Sequence, residues 1–130
     1  MNINTIILAR LRSIRHALRG WKFVLKTQKN VWVHSLAASI VVALGLWFQL
    51  PARDWAVLIL TIAMVFTAEF INTAIEAVVD LASPGKHPLA KVGKDVGAAS
   101  VLVAALSAVL IGLLILGPPL LLKLNLLFGK

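Results

Sequence analysis

Twenty consecutive residues, Val31 to Leu50, carry no formal charge. Coiled as a helix they reach about 30 Å, the depth of a bilayer's hydrocarbon core. Two more apolar stretches follow. One runs from Trp55 to about Ala82 and the other, again free of charge, from Val96 to about Leu116. A short turn, Pro51-Ala52-Arg53-Asp54, separates the first two. Ser83-Pro84-Gly85-Lys86-His87-Pro88, rich in turn formers, separates the last two. None of the stretches alternates in polarity, as barrel strands would. With 60% hydrophobic and 14% charged residues, the chain also departs from the composition of water-soluble domains. The fold class expected is an all-α membrane protein with three transmembrane helices, at 31–50, 55–81 and 88–117, the third starting on the cytoplasmic side. The absence of cysteine excludes disulfides and thiolate metal sites.

The first thirty residues have a different pattern. Ile7, Leu11, Ile14, Leu18, Trp21 and Leu25 fall at helical spacing. Arg12, Arg15, Arg19, Lys22, Lys26 and Lys29 form a second stripe displaced by one residue, about 100° around the helix. Residues 3–30 therefore predict a basic amphipathic helix lying among anionic lipid headgroups. The early apolar run Ile6-Ile7-Leu8-Ala9 is too short for a secretory signal. Ten of the thirteen basic residues fall in the N-terminal segment and the second loop, which two of the three spans separate and so leave on one side. The positive-inside rule then puts both regions on the cytoplasmic side of the membrane, with the C-terminus outside. The Leu-rich tail 118–130, after Gly117-Pro118-Pro119, is expected at the outer interface and carries no recognisable chemistry.

Four of the five acidic residues, Glu69, Glu76, Asp80 and Asp95, lie in or beside the membrane. An ionised carboxylate at mid-bilayer costs roughly 2.5–3.5 kcal/mol on insertion scales. Glu69, Asn72, Thr73, Glu76 and Asp80 share one helical face over about three turns. Asn72 and Thr73 alone would suit a polar seam between helices, but a seam seldom needs charge. The following loop supplies His87, Lys91 and Lys94 near the start of the next helix, where Pro88 suits the first turn. Amines, a helix start and carboxylates at one interface are what a metal–phosphate ligand requires. Ser100, Ala104, Ala108 and Gly112 form a stripe of small residues that admits a neighbouring helix. Three spans are too few to surround the polar stripe, so a homo-oligomer is expected, with the stripe against a neighbouring subunit.

The run Ala68-Glu69-Phe70-Ile71-Asn72-Thr73-Ala74-Ile75-Glu76-Ala77-Val78-Val79-Asp80, followed by His87-Pro88-Leu89-Ala90-Lys91-Val92-Gly93-Lys94-Asp95-Val96, resembles the signature of the prokaryotic diacylglycerol kinases. That family includes the undecaprenol kinases of Gram-positive bacteria. Asn30 and His34 look like the undecaprenol-type and cyanobacterial branches. The resemblance spans roughly residues 12–116. It implies a homotrimeric bundle that transfers the γ-phosphate of Mg-ATP to a lipid hydroxyl, with diacylglycerol the leading acceptor and undecaprenol the alternative. It implies Glu69 as the general base and Glu76 as a ligand of Mg2+. Asn72, Asp80, Lys94 and Asp95 resemble the family's nucleotide- and phosphate-site residues. Arg15 and His87 join them as candidates, with headgroup contact and a solvated loop as their plainer readings. Gln28 departs from the pattern, since much of the family has Glu there. Its amide oxygen is still a hard ligand but carries no charge, so weaker metal binding is expected.

Other classes fit less of the chain. A proton or cation relay would use the carboxylates but leaves the Lys-rich loop without a role. A lipid-surface binder would use only the N-terminal helix. Nucleic-acid binding is not expected, because the cationic stripe lies beside the bilayer. Neither a Walker-type phosphate loop nor a soluble kinase's Gly-rich loop is present.

Overall fold

The computed structural model describes residues 2–128. Four helices account for nearly all of them: α1 (Ile3–Thr27), α2 (Lys29–Phe48), α3 (Ala52–Ala82) and α4 (Pro88–Phe128). No strand occurs among the described residues. All three of the later helices are long and apolar enough to cross a membrane. Their outer faces carry Leu60, Leu102, Leu106 and Leu113, each more than half exposed. In water such a surface would drive aggregation; against acyl chains it costs nothing.

Asn2 caps α1, its side chain accepting the Asn4 N–H at 3.3 Å. Most of α1 is exposed on both its apolar and its cationic stripe, and Val24 is its buried residue. Trp21 anchors it to α3, with its ring 4.7 Å from Phe70 in an edge contact and 5.9 Å from Phe66. Gln28 alone is extended (φ −103°, ψ 112°), so a single residue turns α1 into α2. Trp32 Nε1 donates to the Leu25 carbonyl at 3.0 Å and braces this corner.

Between α2 and α3 the chain reverses through Gln49, which is left-handed at φ 55°. Its N–H and that of Leu50 satisfy carbonyls of the last α2 turn, those of Leu46 and Gly45. Gly45 faces the Trp55 ring so closely that an added Cβ would sit 2.9 Å from it, which is why no larger residue fits there. At 31 residues α3 reaches about 46 Å, well beyond the hydrocarbon depth, so one end must stand in the headgroup layer.

Helix α4 does not stop at residue 117, where the Pro-Pro pair predicts a boundary. It continues through Pro118 and Pro119 to Phe128. Each proline removes one helical hydrogen bond. The segment beyond is held from outside: Lys123 Nζ donates to the Trp47 carbonyl at 3.1 Å and lies 4.5 Å above the Trp47 ring. A cation at the C-terminal end of α2 meets the negative end of that helix. Gly129 and Lys130, the last residues of the expected tail, lie outside the described residues.

The tightest packing is between α3 and α4. Gly93 faces Val79, and an added Cβ at Gly97 would collide with Asn72 Oδ1. With Val101 and Ala104, both buried, these glycines form the contact face. The close-approach stripe is therefore displaced from the expected one. Ala104 belongs to it, but Ser100 is exposed and Gly112 has open space beside it.

Candidate active site

The polar stripe on α3 changes character along its length. Glu69 is 1% exposed, and Asn72 and Thr73 are also buried. Glu76 is half-buried, and Asp80 is exposed. One chain therefore covers the inner half of the stripe by itself. This corrects the expectation that a neighbouring subunit must do so: α4 approaches closely enough through its glycines, and α2 leans on the opposite side.

Burial makes Glu69 the costliest group in the molecule, since an isolated ion in such surroundings forfeits several kcal/mol of hydration. The cation-forming group nearest to it comes from α2. His34 Nε2 lies 3.2 Å from Glu69 Oε1. The two are within ion-pairing distance but are not aligned as a hydrogen bond, and Oε1 has no other partner. Thr73 spends its hydroxyl on the Glu69 carbonyl at 2.8 Å, so it leaves the carboxylate free.

One turn further, Glu76 is held by two amides. Asn72 Nδ2 donates to Oε1 at 3.2 Å, and Gln28 Nε2 donates to Oε2 at 3.3 Å. The extended backbone at Gln28 brings a residue 48 positions away onto this carboxylate. Asn72 Oδ1, pressed against Gly97, is buried without a hydrogen-bond partner. Toward the exposed end, Lys94 Nζ reaches from α4 to Asp80 Oδ1 at 2.6 Å. Both side chains are substantially exposed, so the pair is open to exchange for another anion.

The remaining candidates are not drawn into this cluster. His87 Nδ1 accepts the Leu89 N–H at 3.2 Å and so caps α4 from an exposed loop. Asp95 is exposed and makes no ion pair with Lys91. Arg15 stands exposed on α1. The sequence reading passed over His34 as a site residue. It is the one ionisable side chain in the charge-free run 31–50, and the reasoning applied to the carboxylates would have found it. Gly97 was also missed, because its role depends on a neighbour from another helix.

Among the described residues, no three His, Cys, Asp or Glu side chains come together to hold a metal unaided. The donor set at Glu76 is one carboxylate with amides from Gln28 and Asn72. It suits Mg2+, which takes hard oxygen ligands and often arrives with substrate phosphates rather than in an all-protein cage. The Asn72 side-chain oxygen, on the same face one turn away, is buried with no hydrogen-bond partner.

The arrangement pairs a deep carboxylate with an open cation-bearing rim, as expected for moving a phosphoryl group onto an alcohol at a membrane surface. Comparison with known proteins agrees. The model of the prokaryotic diacylglycerol kinase family matches residues 15–116. The undecaprenol kinase of Bacillus subtilis is 40% identical over 109 residues, covering 84% of this chain and 89% of that protein. A diacylglycerol kinase of Synechocystis is 41% identical over 112 residues, covering 85% of this chain and 64% of its own length. The diacylglycerol kinase of Escherichia coli K12 is 31% identical over 106 residues, covering 76% and 84%. The chain belongs to the prokaryotic diacylglycerol kinase family and is an integral-membrane lipid kinase.

Proposed function

We propose that the protein transfers the γ-phosphate of Mg-ATP to the hydroxyl of a membrane lipid, with diacylglycerol as acceptor and phosphatidic acid as product. The observation that carries this reading is Glu69, a carboxylate buried in the apolar half of a helix whose other end meets a lysine. Glu69 removes the proton of the lipid hydroxyl as that oxygen attacks phosphorus. Its depth suits an alcohol held just below the headgroups. A groove between α3 and α4, lined by Met64, Thr67, Ala68, Ile71 and Ser100, passes the same stretch of helix and is apolar enough for an acyl chain.

Phosphoryl transfer depends mainly on positioning and charge neutralisation. Lys94, which here rests on Asp80, moves onto the phosphates when nucleotide binds. Asn72 orients both Glu76 and the nucleotide. Asp80 and Asp95 flank the entrance, and Arg15 and His87 lie on the same cytoplasmic side as further phosphate contacts. Glu76, with the amide oxygen of Gln28 after rotation of that amide, would hold Mg2+, which neutralises charge on the transferring group. The remaining basic stripe of α1 rests on anionic headgroups. Assembly as a homotrimer completes the open half of each site.

Undecaprenol is the second reading for the acceptor, supported by the Bacillus subtilis relative, 89% of whose length the chain covers. The test is purified protein in lipid bilayers with labelled ATP, Mg2+ and the two lipid alcohols in competition. Preferential labelling of diacylglycerol is expected. Preferential labelling of undecaprenol would replace the acceptor. Labelling of neither, in protein shown to be folded, would overturn the reading.

A further inference from the structure

We propose that His34 is the proton acceptor behind Glu69, taking onto Nε2 the proton that Glu69 removes from the lipid hydroxyl. This rests on Glu69 acting as the base. The geometry points to it in three ways. His34 Nε2 is 3.2 Å from Glu69 Oε1, the carboxylate oxygen that has no aligned hydrogen bond. Glu69 is 1% exposed, whereas the His34 side chain is 18% exposed, so His34 is the more accessible member of the pair. Among the described residues, no other cation-forming side chain lies within 4.0 Å of Glu69, and no other carboxylate lies that close to His34. At Phe70 and Asn72 of α3 the neighbouring elements bring no charge: α1 meets Phe70 through Trp21, and α4 meets Asn72 through Gly97.

A buried base that has taken a proton must lose it before the next turnover, and a carboxylate that is 1% exposed is sealed from direct exchange with bulk solvent. The proposed step conserves every atom and charge. The lipid oxygen forms a bond to the γ-phosphorus as the bond from that phosphorus to the bridging oxygen of ADP breaks. The hydroxyl proton passes to Glu69, then to neutral His34. The resulting imidazolium, five residues from the start of α2, releases it toward the headgroup layer. Imidazole is suited to this because it exchanges protons near neutral pH. The present misalignment is no obstacle, since catalytic hydrogen bonds commonly tighten only in the loaded complex.

The test uses the full chain in lipid bilayers, with initial rates measured from mildly acidic to mildly alkaline pH at saturating Mg-ATP and lipid. His34→Gln keeps a polar side chain that cannot take the proton. It is expected to lower kcat by roughly tenfold or more, to change the pH dependence of kcat, and to leave KM for Mg-ATP unchanged. An unaltered kcat and pH profile in His34→Gln overturns the relay. Should that variant fail to fold, ring-nitrogen NMR of His34 in wild type and Glu69→Gln decides. A shifted His34 titration supports the relay, and an identical one overturns it. The two ideas separate cleanly. Full transfer by Glu69→Gln would sink the base assignment and the relay together. An inactive Glu69→Gln beside an unperturbed His34→Gln removes the relay alone.

Discussion

The two ends of the α3 stripe carry similar side chains in opposite surroundings. At Glu69 the carboxylate is enclosed and meets one imidazole. At Asp80 the carboxylate is exposed and meets one ammonium at 2.6 Å. The closer contact is the weaker commitment, because water and salt compete for an exposed pair. The buried contact is looser, yet neither partner has anywhere else to turn. The lesson is that the inner end is built by a single chain, while the outer end is an exposed ion pair open to exchange. Glu76 lies between the two and is held by amides that lack the charge to keep it once a cation is offered.

The largest expected effect breaks the inner end. Glu69→Gln preserves shape and loses the base, so kcat for lipid phosphorylation should drop by about 10²–10⁴ with little change in KM for Mg-ATP. Equal losses in both parameters would instead mark Glu69 as a nucleotide contact. Lys94→Ala should act at the outer end, raising KM for Mg-ATP by about tenfold or more through a lost charge-assisted phosphate bond. A change confined to kcat would show that Lys94 does not leave Asp80 for the nucleotide. Gly97→Ala tests the wall between the ends. The added methyl must displace Asn72, and overpacking of this kind costs about 1–3 kcal/mol. Thermal unfolding in detergent should register the loss, together with a raised KM for Mg-ATP. Gln28→Glu sharpens the middle of the stripe. A second carboxylate beside Glu76 should lower the Mg2+ concentration needed for half-maximal rate, and an unchanged Mg2+ titration would remove residue 28 from the metal site. The smallest effect is expected for Asp80→Asn, whose exposed ion pair contributes under about 1 kcal/mol to stability. Its melting temperature should stay near that of the parent.

Some of this could be read before any coordinates. The breaks at Pro51 and at Ser83–Pro88, the amphipathic start and the shared face of Glu69, Asn72, Glu76 and Asp80 follow from local periodicity, and the helices fall where that pattern puts them. Beyond 117 the chain stays helical through Pro118 and Pro119, and Lys123 reaches Trp47, a contact across 76 positions that no local rule contains. Within one chain, α4 meets α3 most closely through Gly93 and Gly97, not through the stripe of Ser100, Ala104, Ala108 and Gly112. A run of alanines and glycines offers several such faces, and only the partner helix selects one.

Charge and hydrophobic spacing along the chain settled that it would be helical, would live in a bilayer and would carry acid groups on one side of its second span. Those are properties of neighbours within a few turns, and a membrane leaves almost no other way to satisfy the backbone. What the tertiary structure decided was which acid groups are sealed and which stay open. Gly97 lets α4 close over Asn72, α2 presents His34 to Glu69, and the single extended residue at Gln28 delivers an amide to Glu76. Each of these depends on the distance between helices far apart in sequence, a quantity fixed by packing.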